Sequence, residues 1–220
     1  MNLRNEPLTT EPPARWNRLH WMQLCAITDR RGATQPLLSM VAEWSTGGVD
    51  FIQLREKDLS AAALQSLTRE VVAKIDRRRS KLLVNVSTPE SAALALGAGA
   101  DGVHLAGTPH SGAASSVRKA FCSDSPIISV PCHSLAEIDM ACAEQVDLIL
   151  FSPVFGKLSV GFSQPSQGLE GLRLACAAAQ GTPVLALGGV TIGNARDCIA
   201  AGAAGIAGIR LFAGDDWRRL

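Results

Sequence analysis

The stretch GGVDFIQLREKD, Gly47–Asp58, holds one structural unit in outline. Glycine accepts the left-handed conformation that ends a helix, so Gly47 and Gly48 read as a helix terminus. Phe51–Arg55 is a short apolar run that ends in polar residues, the mark of a buried strand. The same order recurs in GAGADGVHL, Gly97–Leu105, and in AGAAGIAGI, Ala201–Ile209. Working outward from these, apolar runs fall at Leu24–Thr28, Phe51–Arg55, Leu82–Val86, Gly102–Leu105, Ile127–Val130, Leu148–Ser152, Val184–Leu187 and Gly205–Ile209. Several are continuous rather than alternating, as parallel strands buried on both faces require. The segments between them are long enough for crossover helices, and Ala61–Arg79 and Ser134–Gln145 are amphipathic. These units predict an α/β fold, a single (β/α)8 TIM barrel. An open doubly wound sheet is the alternative, but no apolar run is followed by the G-x-G-x-x-G that links strand to helix in that fold. Only Ala213–Leu220 follow the last strand, so the final helix is expected to be short or missing. That would leave an apolar edge, and a second copy covering it, a homodimer, is the matching expectation.

A chain of 220 residues fits one such domain. Residues 1–14 are polar and proline-rich and read as a flexible leader, with the barrel domain over 15–220. Arg15–Gln23 reads as a short helix closing the barrel bottom. A net charge of +1 gives no electrostatic case for nucleic acid or an anionic membrane surface. The six cysteines form no C-x-x-C pair and sit mostly among apolar residues, which implies a reduced, cytoplasmic protein. The N-terminus has no apolar run of signal-peptide length, and no stretch approaches the roughly 20 apolar residues of a membrane helix.

In a barrel of this type, polar residues at the C-terminal ends of strands line the active-site mouth. Gln53, Arg55 and Lys57 alternate along one strand face and form a candidate cradle for an anion. The competing reading is a solvated cluster in which Glu56 and Asp58 neutralise Arg55 and Lys57. Asn85 ends the third strand. His104, alone on the fourth strand, reads as a hydrogen-bonded core residue. His133 follows the fifth strand just before Ser134, a helix N-cap candidate, and could move a proton at physiological pH or serve a structural role. Cys132 beside it should point to the opposite face. Pro153–Gln167, with Lys157, is a candidate lid. Gly188 and Gly189 after the seventh strand, with Gly208 and Arg210 at the eighth, match the phosphate site common at this position in barrels.

Taken together, AITD (Ala26–Asp29), GGVDFIQLREKD, GADGVHL (Gly99–Leu105), HSLAEI (His133–Ile138), PVFG (Pro153–Gly156), QGLEGL (Gln167–Leu172) and LGGVTIGNA (Leu187–Ala195) resemble the thiamine-phosphate synthase superfamily, including its TenI-like thiazole tautomerase branch. The resemblance runs from about Leu24 to Phe212. It implies that Gln53, Arg55, Lys57 and Asn85 contact a pyrimidine diphosphate if the chain is a synthase, an enzyme that uses Mg²⁺ held by two aspartates. Those two positions fall here at Val86 and Pro109, which supply no ligand for a hard cation. The synthase's T-x-T-K segment aligns with Lys157–Val160, which leaves Val160 at the lysine position and Lys157 as a partial substitute, and its serine after the eighth strand aligns with Arg210. The tautomerase branch needs no cofactor, and its resemblance places a catalytic histidine at His133. The expectation is therefore a tautomerase that aromatises a carboxythiazole phosphate by metal-free proton transfer. In that reading Gly188, Gly189, Gly208 and Arg210 hold the phosphate, and Arg55 or Lys57 contacts the carboxylate. A synthase joining hydroxymethylpyrimidine diphosphate to thiazole phosphate is the alternative, and a barrel that only binds a phosphorylated ligand is another.

Overall fold

In a computed structural model of the chain, residues 22–107, 112–121, 125–156 and 166–220 are described. Strands β1 (Gln23–Ile27), β2 (Phe51–Leu54), β3 (Lys81–Val86), β4 (Gly102–Leu105), β5 (Ile127–Cys132), β6 (Leu148–Phe151), β7 (Val184–Leu187) and β8 (Gly205–Gly208) follow the apolar runs closely. All neighbours pair in parallel, and β8 returns to β1, which closes the barrel and excludes the open sheet. Between the strands lie α1 (Leu37–Gly47), α2 (Ala61–Val72), α3 (Pro89–Gly97), α4 (Ala113–Ala120), α5 (Leu135–Ala143), α6 (Gly168–Ala178) and α7 (Ile192–Ala200).

Local chemistry starts these helices. The Ser60 hydroxyl accepts from the Ala63 amide at the head of α2, and Ser134 does the same for Glu137 at α5. Thr88 caps α3, which has Pro89 in its first turn. Helix α2 stops at Val72, well short of the amphipathic pattern, and the Asp76 carboxylate instead accepts from the Arg78 amide in a turn. A repeated device joins strands two by two. Asp50, Asp101 and Asp147, each just before β2, β4 or β6, accept from the amides of Leu24, Leu82 and Ile128 on the preceding strand. Before β8 the corresponding position is Ala204.

Strand alternation divides the core in two. Ile52, Leu54, Val84, Val86, Val103, Ile128, Val130, Ile149 and Phe151 face the helices. Cys25, Ile27, Phe51, Leu83, Leu148, Leu150, Leu185 and Ala207 fill the barrel interior. After β8 there is no eighth α-helix. Two 3-10 turns, Arg210–Phe212 and Asp216–Arg219, take its place. Phe212 and Trp217 are buried there, Phe212 meets Trp44 edge-on at 6.2 Å between centroids, and the Trp44 indole donates to the Phe212 carbonyl. The edge expected to be open is thus covered by the chain's own end, which removes the reason given above for a second copy. The leader and the Arg15–Gln23 helix lie mainly outside the described residues, and Gln23 itself opens β1.

Candidate functional site

A cavity of about 720 Å³ opens at the C-terminal ends of the strands. Its lining includes Gln53, Arg55, Lys57, Asn85, His133, Gly188, Gly189, Gly208 and Arg210, so the structure brings these sequence-selected residues to one mouth. Lys157 and the loop residues 157–165 lie outside the described residues, as does Pro109.

Strand β2 delivers Gln53 deep and Arg55 nearer solvent, and the chain then carries Lys57 to the rim. The Gln53 amide nitrogen is buried with no hydrogen-bond partner. Such a group carries a desolvation cost that a bound ligand can relieve. Glu56 and Asp58 do not neutralise Arg55. Glu56 is buried and accepts from the Thr28 hydroxyl at 2.6 Å and from Arg30, while Asp58 takes the fork of the Arg30 guanidinium at 2.6 and 2.8 Å. The Thr28 hydroxyl in turn accepts from the Arg55 amide at 2.9 Å. No ion pair to Arg55 occurs among the described residues. The solvated-cluster reading therefore fails at Arg55, because its neighbouring carboxylates are committed to the β1 side.

His104 is a buried core residue, as expected, and it also forms part of the cavity wall. Its Nδ1 lies 2.9 Å from the Ser129 hydroxyl. Burial, with the nearby Arg55 charge, pushes its pKa down to about 3, so the ring is uncharged at neutral pH.

His133 stands exposed just past β5. Its Nδ1 is 2.6 Å from the Ser152 carbonyl oxygen and 3.3 Å from the Ser152 hydroxyl. Its backbone is held as well: the amide donates to the Glu137 carboxylate, and the carbonyl accepts from the Gln167 side chain at 2.9 Å. Cys132 points the other way into the helix-packing layer, and burial raises its thiol pKa to about 12, which removes it as a nucleophile.

At the other side of the mouth, Gly188 and Gly189 adopt φ of 94° and 68°, a region that disfavours side chains. A Cβ on Gly189 would stand 2.8 Å from the Phe155 carbonyl oxygen, so the β6 loop also requires glycine there. Arg210 opens the first 3-10 turn beside them, exposed and lining the cavity.

Ser152, Gln167, Arg30 and Thr28 were not selected from the sequence as parts of a site. Ser152 and Gln167 lie 19 and 34 residues from His133, beyond any local periodicity. The only advance signal was their position at strand and loop ends.

Comparisons with known proteins bear on the family and the fold. The thiamine monophosphate synthase family profile matches residues 24–212. A Geobacter sulfurreducens protein provisionally named as a thiamine-phosphate synthase is 37% identical over 193 residues, 87% of each chain. A thiamine-phosphate synthase of Methanoculleus marisnigri is 34% identical over 87% of this chain and 88% of its own. Among solved structures, a thiamine phosphate pyrophosphorylase from Pyrococcus furiosus superposes with a TM-score of 0.73 at 27% identity, covering 90% of this chain and 91% of that one. The chain belongs to the thiamine monophosphate synthase family.

Proposed function

We propose that this member of the family acts on a phosphorylated thiazole by proton transfer, as a tautomerase. One observation carries this reading. The Ser152 carbonyl only accepts, so the His133 Nδ1 that meets it carries the hydrogen. In the neutral ring, Nε2 then holds the lone pair and is the proton acceptor. A proton leaves a ring carbon of the substrate for Nε2, the freed electron pair enters the ring system, and a proton is returned elsewhere on the same molecule. The Ser152 carbonyl steadies the imidazolium formed in between. Gly188, Gly189, Gly208 and Arg210 supply a phosphate anchor, and Arg55 and Lys57 supply cations for the carboxylate. Gln53 and Asn85 offer hydrogen bonds to the ring.

The Mg²⁺ used by synthases of this family does not fit the residues present. Val86, at one of the two metal positions, is apolar and packed toward the helices. Among the described residues no group of three or more His, Cys, Asp or Glu could hold a metal ion.

A synthase is the second reading, favoured by the names of the similar proteins. Both can be assayed on one preparation. Incubation with hydroxymethylpyrimidine diphosphate, thiazole phosphate and Mg²⁺ yields thiamine phosphate only if the synthase reading is right. The tautomerase reading expects aromatisation of the carboxythiazole phosphate without metal. His133→Ala should lower kcat by about 10²–10⁴-fold, the usual contribution of a positioned acid–base group, while ligand binding persists. Unchanged turnover by that variant ends the role of His133.

A further inference from the structure

The pairing of Glu56 and Asp58 has a functional consequence for the mouth. In sequence the two carboxylates alternate with Arg55 and Lys57. Left to themselves, oppositely charged side chains so close together pair, and a cation engaged in that way binds an incoming anion less well. Here both carboxylates are drawn to Arg30. The Arg30 guanidinium touches Glu56 at 3.0 Å and Asp58 at 2.6 Å, and its backbone amide also donates to Glu56. The Glu56 side chain is only 2% exposed. A carboxylate that deep needs hydrogen-bond donors, and it has three: the Thr28 hydroxyl and the backbone amide and guanidinium of Arg30, all just past β1.

We propose that Arg30 is a positioning residue: by holding Glu56 and Asp58 on the β1 side, it keeps the Arg55 side of the mouth cationic for the anionic part of the ligand. Arg30 is not in the cavity lining and does not meet the ligand itself. Its planar fork matters, because one guanidinium serves two carboxylates at once. The proposal rests on the reading of the cavity as an anion-binding mouth, and not on which ring the ligand carries.

Inorganic diphosphate is a suitable probe, since it reports the cationic mouth without any requirement for a thiazole. Arg30→Gln should weaken diphosphate binding about ten-fold at low salt, as freed carboxylates compete for Arg55. Adding Asp58→Asn should restore affinity to within about three-fold of the wild type, because the exposed competitor is then uncharged. A merely structural role for Arg30 predicts no such rescue. Arg30→Lys, which keeps the charge without the fork, should fall between the two and serves if the glutamine variant does not fold. Diphosphate that fails to bind the wild type, an Arg30→Gln protein that binds as the wild type does, or a folded double variant without rescue would each overturn the proposal. Absence of thiazole turnover with these affinities intact would instead count against the tautomerase reading alone.

Discussion

Two halves of the barrel interior are made from different materials. Along β6, β7, β8 and β1 the inward side chains above Gln23, at the start of β1, are Leu148, Leu150, Leu185, Leu187, Ala207, Cys25 and Ile27, an apolar wall toward the mouth. Along β2 to β5 the inward positions nearer the mouth are Gln53, Asn85, His104 and Ser129. Both halves use the same short parallel strands with the same pairing. The apolar half gains from every methylene removed from water. The polar half must satisfy its buried donors and acceptors, and near the mouth it leaves the Gln53 amide nitrogen unmet; the other unmet buried side-chain atom among the described residues is Gln23 Oε1, at the start of β1. Under the proposed function, the polar half is where the ligand's hydrogen bonds are made.

The largest test of that division is a truncation in the apolar half. Leu185 is fully buried inside the barrel, and Leu185→Ala should cost about 2–5 kcal/mol of unfolding free energy. For a chain of this size that is a fall of roughly 4–20 °C in melting temperature. A loss below about 1 kcal/mol would mean that this wall does not anchor the barrel.

A smaller effect should appear in the polar half as a pH dependence. The His104 pKa in the folded protein is about 3, below its ordinary 6.5. Between those values the unfolded chain binds a proton that the folded one does not, so stability rises with pH. The contribution is fully present above pH 6.5 and is lost as the pH falls toward 3. The slope attributable to this ring is about 1.4 kcal/mol per pH unit. Urea titrations at pH 7.5 and 5.5 should show the wild type losing more stability than His104→Gln over that interval. Equal losses would show that His104 takes up its proton in the folded state, and that the polar half is wetter than its burial indicates.

The architecture was legible because it is written locally. Each strand is an apolar run, and each run ends where a turn residue or a cap begins, as at Gly47–Gly48 before β2 and at Ser134 before α5. The mouth residues were legible for a related reason, since Gln53, Arg55 and Lys57 share a face by simple alternation. What stayed hidden was pairing across the fold. Nothing in REKD says that Glu56 and Asp58 turn toward Arg30 rather than Arg55, because that choice depends on β1 lying beside β2. Nothing near His133 says that its ring meets a carbonyl of β6's end or that Gln167 holds its backbone. The covering of the last edge was hidden in the same way. Trp217 and Phe212 could be counted in the sequence, but their burial against α1 needs the closed barrel.

The finest test reverses the usual sign of a core mutation. Gln53 is 1% exposed, and its amide nitrogen has no partner. Methionine has similar length and no group that needs a hydrogen bond, and its flexible side chain fills irregular space. Gln53→Met should therefore leave stability unchanged or raise it by about 1 kcal/mol, since an unmet buried donor is removed. Under the proposed function the same variant should lose affinity for the ligand's ring, while affinity for inorganic phosphate at the proposed anchor of Gly188, Gly189, Gly208 and Arg210 stays as it was. The two measurements separate the halves. A destabilised protein would mean that Gln53 is already satisfied within the barrel, and the polar half would then be ordinary structure. Stability retained with ring affinity lost would mean that the interior of β2 is kept polar for a bound molecule, at a cost the apolar half offsets.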